Sequence, residues 1–328
     1  MPRPARSGLA DMALSAFWFS LMSLGVKLAG RRLPSQEVVL VRGAITLALS
    51  WAALRRAGLP ARGATPARQA ELVLRGVFGT AGLTCFYWSL TRLPLAEATL
   101  LQYTNPLWAA LLAALVLGER VGRREALALG AGLAGVAMVV GPGLGALGGH
   151  TSGGHTVGGR ALGPGSALVG LAGAACSAAA YVVIRRMGAA EDPRRVTLYL
   201  PLVTVPVALP AALLGGWVWP TAREWAVLAG VGASTQLAQT YMTRGLQRER
   251  AARATAVGYL QLVFAAAWGW LVFGDRPGAW TAAGAVTIVG GTLALALGRP
   301  ARDRIRDGAP AAPPPAALAG EAETAEAP

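Results

Sequence analysis

The fold of this chain is decided by one stretch that occurs twice. Residues 98–120 read ATLLQYTNPLWAALLAALVLGER, and residues 254–276 read ATAVGYLQLVFAAAWGWLVFGDR. Aligned without gaps, the copies share a leading Ala-Thr, the tyrosines Tyr103 and Tyr259, an Ala-Ala pair, and a closing Gly, acid and Arg. Self-similarity of this kind predicts an architecture of two related halves.

The composition places this chain among membrane proteins rather than soluble globules. Of its 328 residues, 54% are hydrophobic and only 14% are charged. The apolar residues collect in runs of roughly twenty, the length that crosses the ~30 Å hydrocarbon core of a bilayer as a helix. The runs are 9–29, 38–54, 72–90, 95–117, 126–144, 165–184, 196–218, 225–245, 254–273 and 279–297. The sequence therefore predicts an all-α polytopic membrane protein with ten transmembrane helices.

The basic residues are distributed asymmetrically around these runs. The formal net charge is +14, and most of the arginines fall in alternate connections, on the side that holds residues 1–8. By the positive-inside rule, both termini are predicted to be cytoplasmic. Five helices in each half is an odd number, so the second half must enter the membrane from the opposite side, as an inverted five-helix repeat. The arginines form no continuous patch, and no nucleic-acid partner is expected.

The composition also marks the domain boundaries. A cytoplasmic basic arm (1–8) precedes the first repeat (9–144), a Gly-rich linker (145–164), the second repeat (165–298) and a disordered cytoplasmic tail (299–328). The run 9–29 is too long for the core of a signal peptide, so we interpret it as the first helix. The linker contains Gly-Gly-His twice, ending at His150 and His155. We interpret it as a flexible tether, with metal binding as the alternative.

Three segments carry a resemblance to a known family. They are residues 96–106 with the Gly118-Glu119 that ends this run, the second copy of that stretch ending in Gly274-Asp275, and residues 37–42 at the start of the second run. Together they resemble the drug/metabolite transporter superfamily, and within it the ten-helix group built from two EamA-type repeats. The resemblance covers about residues 9–297. It implies a membrane permease whose central cavity is lined mainly by helices one, three, four, six, eight and nine.

Two details of helices four and nine refine this expectation. Pro106 has Leu262 as its counterpart, where the family often has proline. Because an internal proline kinks a helix, the sequence predicts a kink in the first half alone, with Pro106 as its hinge. Glu119 and Asp275 are expected to cap and orient the turns that follow the two helices.

Strongly polar and aromatic side chains recur inside the runs of both halves. In helix four, Thr99, Gln102, Tyr103 and Pro106 share one face at spacing i, i+3, i+4 and i+7. Polar groups are costly within a bilayer, so such residues usually face the interior of the bundle. The candidate substrate-binding residues are Trp18, Arg42, Tyr87, Gln102, Tyr103, Asn105, Tyr181, Gln236, Gln239, Tyr259 and Gln261. The alternative is that they only hydrogen-bond neighbouring helices together.

Charged residues near the outer ends of helices one, two and four form a second candidate group. Arg42 lies five residues past Glu37, which is about 7.5 Å deeper at helical rise. Arg42 can bind an anionic or zwitterionic substrate, pair with Glu37 or Glu97, or extend to the outer interface. We predict that Lys27, Glu37, Arg42 and Glu97 form one outer ion network that acts as a gate or coupling site.

These expectations define a function. We expect a secondary active transporter in the cytoplasmic (inner) membrane of a bacterium, which exports a small organic metabolite, amino-acid-like or anionic, by alternating access. Its partners are the substrate and the lipid bilayer. No cofactor is expected, and the sequence leaves open whether the chain is a monomer or a homodimer.

Two other classes of protein are alternatives to a transporter. The first is a membrane-embedded enzyme, which should carry clustered acids or histidines at helix ends. Both histidines lie in the linker instead, and the runs hold no Ser/His/Asp or Cys/His set. The second is a non-transporting scaffold or sensor, which the tail 299–328 does not favour because its sequence resembles no signalling domain.

Overall fold

The computed structural model describes residues 7–92, 99, 101–148, 164–274 and 278–297, all but a few of them with their side chains. Within these ranges the regular elements are helices. They are α1 (Gly8–Ala29), α2 (Ser35–Arg56), α3 (Pro66–Arg92), α4 (Asn105–Leu117), α5 (Arg123–Gly148), α6 (Pro164–Met187), α7 (Pro193–Leu214), α8 (Ala222–Arg248), α9 (Ala251–Gly258), α10 (Leu260–Phe273) and α11 (Ala279–Leu297). A short 3₁₀ helix, Gly188–Ala190, follows α6.

Six of the described helical segments are long and apolar enough to cross a membrane. They are Gly8–Ala29, Gln36–Arg56, Leu168–Ala190, Pro193–Leu214, Ala251–Phe273 and Ala279–Leu297. Each overlaps one of the runs read from the sequence, and the fold is that of a polytopic helical membrane protein. The full count of ten spans stays a prediction.

The outer surface of the bundle agrees with a lipid environment. Leu115 and Leu127 are each 73% exposed, and Leu214 and Leu297 are exposed still further. In contrast, Arg75 and Glu37 are buried. A soluble protein buries its large apolar side chains first, so this inverted distribution indicates that hydrocarbon surrounds the bundle.

Contacts between the halves pair each helix with a helix of the other half. The helices α1 and α8 are antiparallel, because Gly8 packs against Gly245 while Gly25 packs against Val231. The glycines let the two backbones approach closely, which is how helices associate where no hydrophobic effect drives them together.

The helices α3 and α6 repeat this arrangement. Gly82 packs against Gly173, and Ser89 packs against Gly170, so these two helices are also antiparallel. Further contacts join α2 to α7 and α5 to α11. Exchanging the first half for the second maps the α1–α8 pair onto α6–α3, and maps the α2–α7 and α5–α11 pairs onto themselves. The packing therefore has the pseudo-twofold pattern of two related halves.

The interruption of one long helix in each half corrects the prediction of a kink in the first half alone. The α-helical hydrogen-bond pattern is interrupted at Tyr103 and Thr104 before α4, and again at Tyr259 between α9 and α10, although Thr104 and Tyr259 keep right-handed helical backbone angles. At both places the backbone forms tight i→i+3 hydrogen bonds, from Thr104 N to Leu101 O (3.1 Å) and from Leu262 N to Tyr259 O (3.0 Å).

The second interruption occurs without a proline. The mismatch of Pro106 with Leu262 therefore does not restrict interruptions to the first half. Gly258 comes directly before Tyr259, and a glycine inside a helix costs about 1 kcal/mol relative to alanine. That cost weakens the helix beside the interruption at Tyr259. The two interrupted helices also end alike, since Gly118 (φ 66°) and Gly274 (φ 73°) both cap them in the left-handed region.

Candidate functional site

A small internal cavity lies where the two interrupted helices meet. Its volume is about 80 Å³, and α1, α4, α6, α8, α9 and α10 surround it. The lining residues are Met12, Ser15, Ala16, Phe19, Tyr103, Asn105, Pro106, Tyr181, Met242, Thr255, Gly258, Tyr259 and Gln261. In the ten-helix count these belong to helices one, four, six, eight and nine, and none of them comes from the described side chains of helix three.

Tyr103 and Tyr259 are the centre of this cavity. Their rings stack, with centroids 6.3 Å apart and planes inclined by 27°. Both residues sit at the interruption of their helix, at equivalent positions of the two repeats. The hydroxyl of Tyr259 is buried and has no hydrogen-bond partner among the described residues. A buried hydroxyl without a partner is costly, so this group is available to a ligand.

The amide side chains of the site also come from equivalent positions. Asn105 begins α4 and Gln261 lies in the first turn of α10, and both line the cavity. Tyr181 of α6 lines the cavity beside them. Phenols and amides both donate and accept hydrogen bonds, so the cavity presents a wall that can orient a polar organic molecule.

The cavity is contracted in this conformation. Pockets for organic ligands usually measure about 300–1,000 Å³, whereas this one measures about 80 Å³. A metabolite therefore requires the surrounding helices to separate. Elsewhere, a shallow surface groove of about 290 Å³ lies at the end of α2, beside Trp51 and Arg55. The residues lining that groove include none of the predicted site residues.

Five of the predicted substrate-binding residues lie away from the cavity, and one of them, Arg42, is described with the outer ion network below. Gln102 reaches Ser177 with its amide nitrogen at 3.5 Å, the long limit of a hydrogen bond. The amide oxygen of Gln236 accepts a hydrogen bond from Ser50 at 2.9 Å. Trp18 packs edge-on against Phe17. The contacts of Gln102 and Gln236 join different helices, as in the alternative that polar side chains hold the bundle together, whereas the contact of Trp18 lies within α1. The remaining one, Gln239, bonds an arginine, as described below.

The predicted outer ion network does not form among the described residues. The carboxylate of Glu37 accepts a hydrogen bond from Val218 N at 3.0 Å, and Arg42 Nη1 contacts Met22 Sδ at 3.4 Å. Lys27 Nζ lies 4.0 Å from the centre of the Phe273 ring. Helical depth alone suggested the network, but the three side chains point in different directions around their helices.

Two of the predicted residues lie outside what the structure describes. Of the gate candidates, one lies at the cavity. Glu97 and the side chain of Tyr87 fall outside the part of the chain that the structure describes, as does Asp275. Pro106 lines the cavity in the first turn of α4, beside the first helix interruption.

Arg75 of α3 is the residue that the sequence-based selection missed. It is 1% exposed, and it donates a hydrogen bond from Nη2 to Oε1 of Gln239 at 2.9 Å. Its Nε has no partner among the described residues. An arginine at the centre of a membrane helix costs about 2.5–3.5 kcal/mol even by the more lenient insertion scales. The signal was present, because Arg75 lies within an apolar run just as Arg42 does.

Ion pairs join the two halves at the end of the bundle where α1 begins. Arg248 Nη1 lies 2.8 Å from Asp11 Oδ2, and Arg185 Nε lies 2.7 Å from Glu119 Oε1. The second oxygen of Glu119 accepts a hydrogen bond from Ala251 N at 2.9 Å. Glu119 was expected to cap the turn that follows its own helix, and its side chain instead caps α9 of the other half.

At the opposite end Arg32 and Glu224 form a bidentate ion pair, in which Arg32 Nη2 donates to Glu224 Oε2 at 2.5 Å. Arg32 Nε donates to Glu224 Oε1 at 2.8 Å, and Arg32 Nη2 donates to Trp219 O at 2.7 Å. Glu224 also caps its own helix through a capping box with Thr221. The hydrogen bond from Arg32 lowers the pKa of Glu224 to about 2, and the backbone bond from Thr221 adds to the shift.

Comparison with known proteins identifies a family of transporters. The model of the family described as "EamA-like transporter family" matches residues 6–141 and 165–297. The chain is 33% identical to the pseudopaline exporter CntI of Pseudomonas aeruginosa, over 88% of this chain and 96% of that protein. It is 26% identical to a riboflavin transporter of Rhizobium johnstonii, over 92% and 95%. It is also 26% identical to an S-adenosylmethionine uptake transporter of Rickettsia prowazekii, over 67% and 69%.

A solved crystal structure shares the fold. It superimposes with a TM-score of 0.73 at 22% identity, over 88% of this chain and 96% of that chain. The likeness spans both repeats, so the arrangement of helices around the cavity is that of a known fold.

Proposed function

This chain belongs to the EamA-like transporter family, and on that premise we propose that it is a secondary active exporter of a small organic metabolite, working by alternating access. The observation that carries the proposal is the pair of helix interruptions at Tyr103 and Tyr259 around one cavity. Interrupted helices that meet near the middle of the membrane are where inverted-repeat transporters bind their substrates.

The proposed architecture has ten spans in two inverted repeats. If α1, α2 and α3 cross the membrane in turn, α1 and α3 run in the same direction. Since α8 is antiparallel to α1, and α6 is antiparallel to α3, the second half then runs opposite to the first. The excess of arginine at the end where α1 begins favours a cytoplasmic location for that end, in the inner membrane of a bacterium.

The proposed binding groups are the tyrosines and amides of the cavity. Tyr103, Tyr259 and Tyr181 provide phenols, while Asn105 and Gln261 provide amides. Pro106 fixes the backbone beside the first interruption and serves as a hinge. Glu37 is the coupling candidate among the described residues, because it is a buried carboxylate whose Oε1 has no partner.

The direction of transport is proposed on a relative. The Pseudomonas aeruginosa protein is named an exporter, whereas the Rickettsia protein is named for uptake. Identity is higher to the exporter and covers more of the chain, which favours export. The substrates in these names differ, so family membership does not select one.

Flux through proteoliposomes tests the proposal. Vesicles are loaded with a panel of radiolabelled amino acids, organic acids, nucleosides and vitamins, and efflux is compared with protein-free vesicles. The cavity is then filled by Gly258→Trp, because Gly258 lines it and has open space at its Cβ position. The matched control is Gly230→Trp, on an exposed face of α8 with equally open space.

We expect efflux of at least one member, its loss in G258W and its retention in G230W. Both variants must reach the membrane at wild-type abundance. The absence of efflux for every member, or full efflux through G258W, would show that the proposal is wrong.

A further inference from the structure

The buried pair Arg75 and Gln239 has the properties of an anion site. Arg75 is 1% exposed, and its one hydrogen bond within the described residues goes to the neutral side chain of Gln239. No carboxylate of the described residues contacts it. The arginines at the end where α1 begins behave differently, since Arg185 and Arg248 both pair with acids. A buried guanidinium without a counter-ion needs one, and the described protein side chains do not supply it.

The free nitrogen groups of this pair are hydrogen-bond donors. Gln239 uses its amide oxygen to accept from Arg75, which leaves its NH₂ group as a donor. The Nε–H of Arg75 is a second donor without a partner. Gln239 is only partly buried, so its free amide is open to a small molecule. Donors around one positive charge are complementary to a carboxylate, which accepts bidentate hydrogen bonds.

The pair lies at the depth of the cavity. Arg75 comes nine residues after the first residue of α3, and Gln239 comes nine residues before the last residue of α8. At helical rise both are about 13 Å from one end of the bundle. Tyr181 connects them to the cavity, because it lines the cavity and lies near the guanidinium of Arg75.

We propose that Arg75 and Gln239 bind the carboxylate of the transported substrate, and that the substrate is therefore an amino acid or another metabolite with a single carboxylate. This inference rests on the proposed transport function. The single positive charge of Arg75 matches one negative charge, which favours a carboxylate over a doubly charged phosphate. The rest of the substrate contacts the phenols and amides around Tyr103 and Tyr259.

The first test compares each acid with its neutral analogue. Proteoliposomes are loaded with radiolabelled amino acids, with the corresponding amino-acid amides, and with phosphate monoesters. We expect wild-type protein to export at least one amino acid at least about tenfold faster than its amide, and Arg75→Gln to remove that preference. Equal flux of acid and amide, or a preference for phosphate monoesters, would overturn the inference.

A second variant separates binding from folding. Gln239→Glu places a carboxylate beside Arg75, so the buried charge acquires a permanent partner inside the protein. If Arg75 only stabilises the fold, this variant transports at the wild-type rate. If Arg75 binds substrate, the built-in carboxylate competes, and transport falls at least about tenfold while the melting temperature is retained or rises.

The matched control is Gln69→Glu, the same change on α3 at a residue bonded to the hydroxyl of Tyr199. It adds the same charge without touching Arg75, and we expect wild-type flux. The outcomes also distinguish this inference from the transport function on which it rests. Efflux of neutral members alone leaves transport intact and rejects the carboxylate site, whereas no efflux at all rejects both.

Discussion

Gly132 of α5 packs directly against the ring of Tyr259, at the interruption between α9 and α10. A Cβ at residue 132 would overlap the Cδ2 and Cε2 atoms of that ring, whereas a Cβ at Gly130 would meet nothing. The position of the central tyrosine therefore depends on the absence of one methyl group in a neighbouring helix. This contact links the Gly-rich fifth helix of the repeat to the candidate site.

The first prediction is that Gly132→Ala impairs both stability and transport. The added methyl group must displace the Tyr259 ring or separate the helices, and overpacking of this kind costs about 1–3 kcal/mol. We expect a lower melting temperature in detergent and a loss of flux of about tenfold, which corresponds to ~1.4 kcal/mol.

Gly130→Ala is the matched control, two residues away on the same helix. Its side chain points into open space, and replacing glycine within a helix stabilises it by up to about 1 kcal/mol. We expect an equal or higher melting temperature and unchanged flux. Equal effects of the two substitutions would show that the contact with Tyr259 has no special role.

The second prediction concerns the hydroxyl of Tyr259. This group is buried without a partner, and such a group costs about 1–3 kcal/mol. Tyr259→Phe removes the cost, so the melting temperature should stay the same or rise. If the hydroxyl binds substrate, flux should fall about tenfold at sub-saturating substrate, with an effect of ~1.4 kcal/mol. A variant that loses stability and flux together would contradict this interpretation.

The sequence predicted the residues that the repeat itself determines. Tyr103 with Tyr259, and Asn105 with Gln261, were selected as equivalents, and an axis relating the two halves brings equivalents of this kind face to face. These four residues and Tyr181, which was also a candidate, line one cavity. Residues at equivalent positions of the two repeats could therefore be predicted from the sequence alone, without knowledge of the angles at which the helices pack.

The features that depend on the direction of a side chain around its helix could not be predicted. Glu37 and Arg42 were grouped by depth, but packing turns Glu37 towards Val218. Arg75 meets Gln239 because two long side chains reach towards each other from α3 and α8, which the sequence does not show. The interruption at Tyr259 could not be predicted from proline, because Leu262 stands where the first half has Pro106. A glycine before Tyr259, together with tertiary contacts, is enough to interrupt this helix.

The third prediction is that Glu119 holds the end of the bundle where α1 begins in its closed state. Its two oxygens bind Arg185 and the first backbone N–H of α9, so it connects helices of both halves. Glu119→Gln removes the charge from both contacts. Hydrogen bonds to charged groups are worth about 1.5–3 kcal/mol, so the open state should gain population.

Hydrogen–deuterium exchange measures this change in the peptide that contains Ala251. We expect faster exchange at the start of α9 in E119Q, with exchange in α2 unchanged. Glu249→Gln is the control, because the Glu249–Arg253 pair at this end is long, at 3.9 Å. If E249Q accelerated exchange as much as E119Q, the loss of any acid at this end would explain the effect.

The last prediction is that the Arg32–Glu224 pair at the opposite end does not respond to pH in the physiological range. Arg32 depresses the pKa of Glu224 to about 2, from the usual 4.5 of a glutamate side chain. A carboxyl whose folded pKa is depressed contributes stability that is fully present above its unfolded pKa and is lost as the pH falls towards the folded one. The contribution should therefore be constant from pH 8 down to about pH 5 and disappear as the pH falls through about 2.

The difference in melting temperature between wild type and Glu224→Gln isolates this contribution from every other titrating group. It should be constant between pH 5 and 8 and shrink at lower pH, and high salt should reduce it throughout because the pair is exposed. In an Arg32→Gln background the difference should be smaller, since only the bonds to Thr221 remain. A difference that shrinks already between pH 7 and pH 6 would show that this ion pair can act as a proton-operated gate, which the geometry argues against.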